Sequence, residues 1–185
     1  MNVIGIAVSP RKGANSQTLV EQVLAGAKEK GSETELIRLS DLEIHPCVAC
    51  GFCKSGHDTC AQKDDMVVLY EKIRKADVIV FGAPIYFARL NAQAYTFIDR
   101  LYAMLNPDFS SRLPTGKKIA IVLTSGSGEL SIATPMHEYL KTIFGFFHCM
   151  DGGFIWQNQM FAPNDLEQFP ETIEKAQALG RSIST

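Results

Sequence analysis

Strand-sized apolar runs alternate with helix-periodic segments along the sequence, and that alternation leaves few architectures open. Val3-Ile-Gly-Ile-Ala-Val8 is a short β-branched run, after which Leu19, Val20, Val23, Leu24 and Ala27 recur at helical spacing and Gly31 takes the place of a C-cap glycine. A second strand is expected from Thr34 to Leu39. Asp64 and Asp65 then open a helix whose apolar side carries Met66, Val67, Leu69, Tyr70 and Ile73. Val78-Ile-Val-Phe81 is continuously apolar, as a strand buried on both faces requires. A helix from about Asn91 to Leu105, with Phe97, Ile98, Leu101 and Tyr102 as its buried stripe, is followed by a strand from Ile119 to Thr124. A helix from Pro135 to Phe147, a short strand from Gly153 to Trp156 and a helix from Pro170 to Ile183 complete the series. Five β/α units predict an α/β fold, a parallel sheet with helices on both faces, in a single domain over residues 1–185.

In such a sheet the ligand lies beyond the C-terminal ends of the strands, at the switch in strand order. Three loops leave those ends with polar or glycine-rich character: Ser9 to Ser16, Gly82 to Leu90 and Ser125 to Gly128. The first empties a strand into a helix, which aims backbone N–H groups and the positive end of the helix dipole at one point. Ser9 and Ser16 add hydroxyls, Asn15 is a good helix cap, and Arg11 offers a planar fork suited to phosphate. Three converging loops make a mononucleotide site. Neither a dinucleotide fingerprint nor a Walker loop follows any strand.

With 185 residues and 46% hydrophobic composition, the chain is long enough to bury a full core. A formal net charge of -2 argues against a nucleic-acid partner. The longest apolar stretches are strand-sized, and the N-terminus runs straight into a strand, so neither a membrane span nor export is expected. The expected compartment is the cytoplasm, where clustered cysteines indicate metal or redox chemistry rather than structural disulfides.

Ser9-Pro-Arg-Lys-Gly-Ala-Asn-Ser16, Gly82-Ala-Pro-Ile-Tyr-Phe87 and Phe97-Ile-Asp-Arg100 together resemble the NADPH-dependent FMN reductase branch of the flavodoxin-like superfamily. Cys47-x2-Cys50-x2-Cys53-x6-Cys60 further resembles the compact cluster motif of the iron-sulfur flavoproteins in that branch. The resemblance runs from Val3 to about Gly128. It implies a flavodoxin-like three-layer sandwich with a five-stranded parallel sheet of order 2-1-3-4-5. It also implies that Ser9, Arg11, Asn15 and Ser16 hold the FMN phosphate, that Pro84, Ile85, Tyr86 and Phe87 line the isoalloxazine, and that Ser125, Gly126, Ser127 and Gly128 meet its pyrimidine end. A flavin needs no protein nucleophile, so no catalytic side chain is expected. Flavodoxins themselves carry a Ser/Thr-rich phosphate loop; Arg11 here favours a reductase over a dedicated electron carrier.

The segment from Asp41 to Lys63 has no periodicity and holds the four clustered cysteines. Three readings stay open for it. Cys47, Cys50, Cys53 and Cys60 have the short and longer gaps that wrap a [4Fe–4S] cube. Four thiolates, or three with His45 or His57, also satisfy tetrahedral zinc. The third reading is thiols without metal.

Asp99 and Arg100 read as a structural or subunit-contact pair, His137 and His148 as satisfied helix histidines, Trp156 as packing or interface and Cys149 as a buried thiol. The expected function is FMN-dependent transfer of electrons from NAD(P)H or a reduced carrier to a small acceptor: a flavin, a quinone or a redox protein. The alternatives are an iron-sulfur relay of single electrons and a phosphate- or nucleotide-sensing module without redox turnover. An open flavin edge predicts a homodimer or homotetramer.

Overall fold

The computed structural model describes residues 1–184. Five strands form a parallel sheet: β1 (Asn2–Ala7), β2 (Glu33–Arg38), β3 (Val78–Tyr86), β5 (Lys118–Thr124) and β6 (Met150–Gln157), in the order β2-β1-β3-β5-β6. A two-residue strand, β4 (Arg89–Leu90), pairs antiparallel with the end of β3. With that hairpin set aside, the expected order of five parallel strands is the observed one.

Two helices, α1 (Asn15–Glu29) and α5 (Pro170–Ile183), cover one face and share a core with Val3, Val80 and Val122. The opposite face carries α2 (Met66–Lys75), α3 (Ala92–Arg100) and α4 (Leu130–Gly145), packed on Ile4, Phe81 and Ile121. Alternate residues of each strand thus feed alternate cores, which is why the strands read as continuous apolar runs.

Several boundaries differ from the sequence reading for identifiable reasons. The stretch after Phe81 is not a loop: β3 continues to Tyr86, with Ala83 and Pro84 in register with Leu123 and Thr124. The chain then reverses through Phe87 and Ala88, both at positive φ, so that Tyr86 faces Arg89. That turn ordinarily recruits Gly or Asn, and neither is present to announce it. Helix α4 starts at Leu130, leaving Pro135 inside it rather than at its first turn. Strand β6 is longer than expected because a register shift between Ile119 and Ala120 absorbs Gly152, next to Gly153 at φ 122°. Two residues assigned to buried stripes, Val67 and Tyr102, are exposed.

Helices α1 and α5 approach through two glycines. A Cβ at Gly180 would stand 1.9 Å from the Val23 carbonyl oxygen, and one at Gly26 would stand 2.0 Å from that of Gln177. Backbone on the far side has no rotamer with which to give way. Gly180→Ala is therefore expected to destabilise the fold by about 1–3 kcal/mol, overpacking outweighing the gain in helix propensity. A lower denaturant midpoint at unchanged slope checks this.

Candidate functional site

The C-terminal ends of β1, β3 and β5 and the connection from β6 to α5 enclose a cavity of about 230 Å³. Ser9, Arg11, Asn15, Ser16, Pro84, Ile85, Tyr86, Ser125 and Gly126 all line it, so the three polar loops meet where the topology directs them. Phe87, Ser127 and Gly128 do not. Phe87 is the fully exposed tip of the β3–β4 hairpin, Ser127 is exposed, and the Gly128 carbonyl accepts from Asn158 Nδ2 at 3.0 Å.

Each wall has its own support. Ser9 Oγ accepts from the Arg11 amide at 3.2 Å, and Gln17 Oε1 accepts from the Gly13 amide at 3.0 Å, fixing the loop that precedes α1. The N-cap is Ala14, not Asn15. Asn15 begins the helix, and its side chain makes no cap but donates to the Ala162 carbonyl at 2.8 Å and accepts from the Leu166 amide at 3.2 Å. Its amide side chain thus anchors the β6–α5 connection. Ser16 Oγ is buried at the first turn of α1 with no hydrogen-bond partner among the described residues. A buried hydroxyl left unpaired is costly, and an anion bound at this helix N-terminus would supply the missing acceptor. Arg11 is exposed and donates from Nη1 to the Phe161 carbonyl at 3.3 Å.

Sequence reasoning missed Thr124, Met160 and Phe161, which also line the cavity. The segment holding the last two is zipped to the β5 loop, the Met160 amide donating to the Ser125 carbonyl at 3.0 Å and that of Gln159 to Gly126 at 3.1 Å. Gly126 leaves room for an aromatic lid: a Cβ there would lie 2.8 Å from the Phe161 ring. The available signal was an apolar pair, Met160-Phe161, set in an otherwise polar stretch. Trp156 packs as expected and donates from Nε1 to Ser125 Oγ at 3.1 Å.

A second cavity, about 870 Å³, shares no lining residue with the first. Cys47, Cys50, Cys53 and Cys60 line it opposite Leu101, Leu105, Ile143 and Phe147. All four thiols are free; Cys47 and Cys50 are exposed, Cys53 and Cys60 half-buried. The donor set and its shared cavity suit a four-thiolate group. Among the described residues no three His, Cys, Asp or Glu side chains stand close enough to hold a metal ion. Neither candidate histidine lines this cavity. His45 Nε2 lies 3.2 Å from Glu43, and His57 stacks on Phe52 at 3.6 Å.

The cysteine loop follows β2, which starts it at the C-terminal edge of the sheet, but it does not stay there. Helix α3 leaves the C-terminal edge, where Asn91 Nδ2 donates to the Val8 carbonyl at 2.7 Å, and runs back across the sheet. Lys54 Nζ caps the carbonyls of Tyr102 and Leu105 beyond the far end of α3, and Arg112 Nη2 donates to the Cys53 carbonyl at 3.1 Å. Arg74, in the last turn of α2, donates to the Asp58 carbonyl at 3.3 Å. These pins draw the loop along the helices, away from the first cavity of its own chain.

Where the loop starts and ends, it is pinched into a neck. The Asp65 amide donates to the Glu43 carbonyl at 3.1 Å and the Glu43 amide returns to Asp65 Oδ2 at 2.7 Å. Asp64 accepts from the His45 amide at 3.0 Å and is gripped by both terminal guanidinium nitrogens of Arg100, which also donates to the His45 carbonyl at 2.7 Å. Arg100 therefore pairs with Asp64 and not with Asp99. Its side chain is 1% exposed and that of Asp64 3%. Burial alone would raise the Asp64 carboxyl; the Arg100 guanidinium and the amides of His45 and Met66 outweigh it and hold it below the usual carboxylate range. A depressed folded-state pKa contributes stability that is fully present above the unfolded value, about 3.9, and lost as pH falls through the folded one. Pepsin is thus expected to cut between residues 46 and 63 increasingly as pH drops below about 4, before the rest of the chain opens.

The sequence matches the NADPH-dependent FMN reductase family over residues 1–176. The chain belongs to that family. It is 31% identical over 179 residues to an iron-sulfur flavoprotein of Methanosarcina thermophila, covering 95% of this chain and 93% of that one. It is 28% identical over 172 residues to an FMN-dependent NADH:quinone oxidoreductase of Colwellia psychrerythraea, covering 84% and 88%. Among solved structures, an NAD(P)H:quinone oxidoreductase from Methanothermobacter marburgensis superposes with TM-score 0.76 at 16% identity, over 100% of this chain and 98% of that one, which shows the shared fold. As a member of the family, this protein is an FMN-dependent oxidoreductase with a flavodoxin-like fold. Among the described residues no helix is long and apolar enough to cross a membrane.

Proposed function

We propose that the protein draws electrons from NADH, NADPH or a reduced carrier and passes them to a small acceptor, a flavin, a quinone or a redox protein, with one [4Fe–4S] cluster in the cysteine loop. The observation that carries the flavin part is the meeting of three strand-end loops around the unpartnered Ser16 hydroxyl. When bound, FMN supplies hydride chemistry at its own ring, so the protein binds, orients and shields. On this reading Ser9, Arg11, Ser16 and the first amides of α1 hold the phosphate, with Asn15 fixing the loop beside it. Pro84, Ile85 and Tyr86 flank the ring, with Phe87 beyond them; Ser125 and Gly126 lead to Ser127 and Gly128 at the pyrimidine end. Cys47, Cys50, Cys53 and Cys60 are the four thiolates the cluster needs, and the apolar wall of their cavity would shield it from water. Residues 1–185 act as one FMN-binding domain, and the free thiols suit a reducing cytoplasm.

A cavity of about 230 Å³ is small for a whole nucleotide. Tyr86 and Phe161, which line it, stand exposed, and Phe87 next to Tyr86 is exposed too. We therefore expect a homodimer or a dimer of dimers in which a second copy roofs the ring. Sedimentation at micromolar concentration checks this, and a monomer with full flavin occupancy would contradict it.

Protein purified without oxygen is expected to bind FMN one to one and to oxidise NADH or NADPH with a quinone or free flavin as acceptor. Bound flavin that a reduced carrier can reduce but neither nicotinamide can would favour the relay. Failure to bind FMN would overturn the proposal.

A further inference from the structure

We propose that Arg100 is a positioning residue for the cysteine loop, setting Cys60 for metal-group binding and supplying the buried positive charge against which that group's negative charge is held. The inference rests on the cluster reading of the loop. Three observations carry it. First, the bidentate grip on Asp64 and the bond to the His45 carbonyl fasten the two ends of the loop together, four residues after Cys60 and two before Cys47. Second, Arg100 Nε is buried with no hydrogen-bond partner among the described residues, a donor left over after the fork is satisfied. Third, Cys60 lies within electrostatic reach of Arg100 and Tyr70, and it packs half-buried against the core that includes Tyr70. Tyr70 in turn fixes the backbone, donating from its hydroxyl to the Arg100 carbonyl at 2.9 Å.

A purely structural ion pair would hold the neck and do nothing more. A buried guanidinium within electrostatic reach of a ligand sulfur would also stabilise negative charge on the metal group, and a positive charge at that range makes reduction easier. The pair shares no residue with the lining of the cavity at the strand ends.

The test compares full-length FMN-loaded protein, reconstituted with ferrous iron and sulfide without oxygen, in three forms: wild type, Arg100→Lys, and the double variant Asp64→Asn with Arg100→Gln. The double variant removes both charges, so it leaves no unpaired buried ion to prevent folding. In the double variant the metal-free protein is expected to show alkylation of Cys53 and Cys60 by iodoacetamide accelerated about tenfold. Its iron and sulfide uptake should fall several-fold and any cluster it holds should have a more negative midpoint potential, with FMN stoichiometry unchanged. Arg100→Lys should restore the potential toward wild type. Unchanged labelling, iron content and potential in the double variant would overturn the proposal, as would an Arg100→Lys potential no closer to wild type than that of the double variant. A wild type that takes up no iron and sulfide would overturn the cluster reading itself, and the inference with it; a loaded wild type beside unaltered variants would overturn only the inference.

Discussion

Arg11→Ala is expected to weaken FMN binding about 10- to 150-fold while leaving riboflavin binding within about twofold of wild type. The range is what a hydrogen bond to a charged group contributes, about 1.5–3 kcal/mol. Arg11 lines the same cavity as Ser9 and Ser16 and is exposed, so its fork is free to turn from the Phe161 carbonyl toward a dianion. Riboflavin has no phosphate, and loss of the arginine removes nothing it touches. Titrating apoprotein with both ligands gives the ratio directly. Equal losses for both would mean that the loop had been disordered, and equal affinities for wild type and variant would remove Arg11 from the site. Raising the salt concentration should shrink the difference, because the arginine is accessible to counterions.

Cys53→Ala is expected to abolish stable iron and sulfide incorporation under anaerobic reconstitution while leaving FMN occupancy intact. Four thiolates are the donor set a cubane takes, and removing one opens a corner to water and oxidation. Cys53 is half-buried in the second cavity, and its carbonyl is held by Arg112, so the alanine keeps the backbone contact and loses the sulfur. Because the two cavities share no residue, flavin binding serves as the control for folding. Iron and sulfide retained in the variant at the wild-type ratio would show that Cys53 is no ligand. Zinc retained in place of iron by the anaerobic wild type would select the tetrahedral alternative.

The sheet was legible because alternation of buried strands and amphipathic helices is a physical requirement of a parallel sheet. Val78 to Phe81 can only be a central strand, and the three polar loops had to meet at its end. What could not be read were features set by tertiary contact. Phe87 and Ala88 form a turn at positive φ without glycine, held by pairing of Ile85 with Leu90. Asn15 has the chemistry of a cap, but the Ala162 carbonyl and Leu166 amide compete for its side chain across most of the chain length. Phe161 enters the cavity only because Gly126 makes room for its ring, a fit between distant residues that no local pattern encodes. The same holds for Arg100, whose partner lies thirty-six positions away rather than next door at Asp99. The cysteine spacing indicated a metal site, but cations on α2, α3 and the segment after it decide where the loop lies.

The most direct test of the oxidoreductase reading is anaerobic mixing of FMN-loaded protein with NADH or NADPH, following the absorbance of the bound flavin. Bleaching by at least one nicotinamide, stoichiometric with its oxidation and reversed by a quinone, is the result the reading predicts. A flavin that stays oxidised in excess of both nicotinamides, yet bleaches with dithionite, would contradict it.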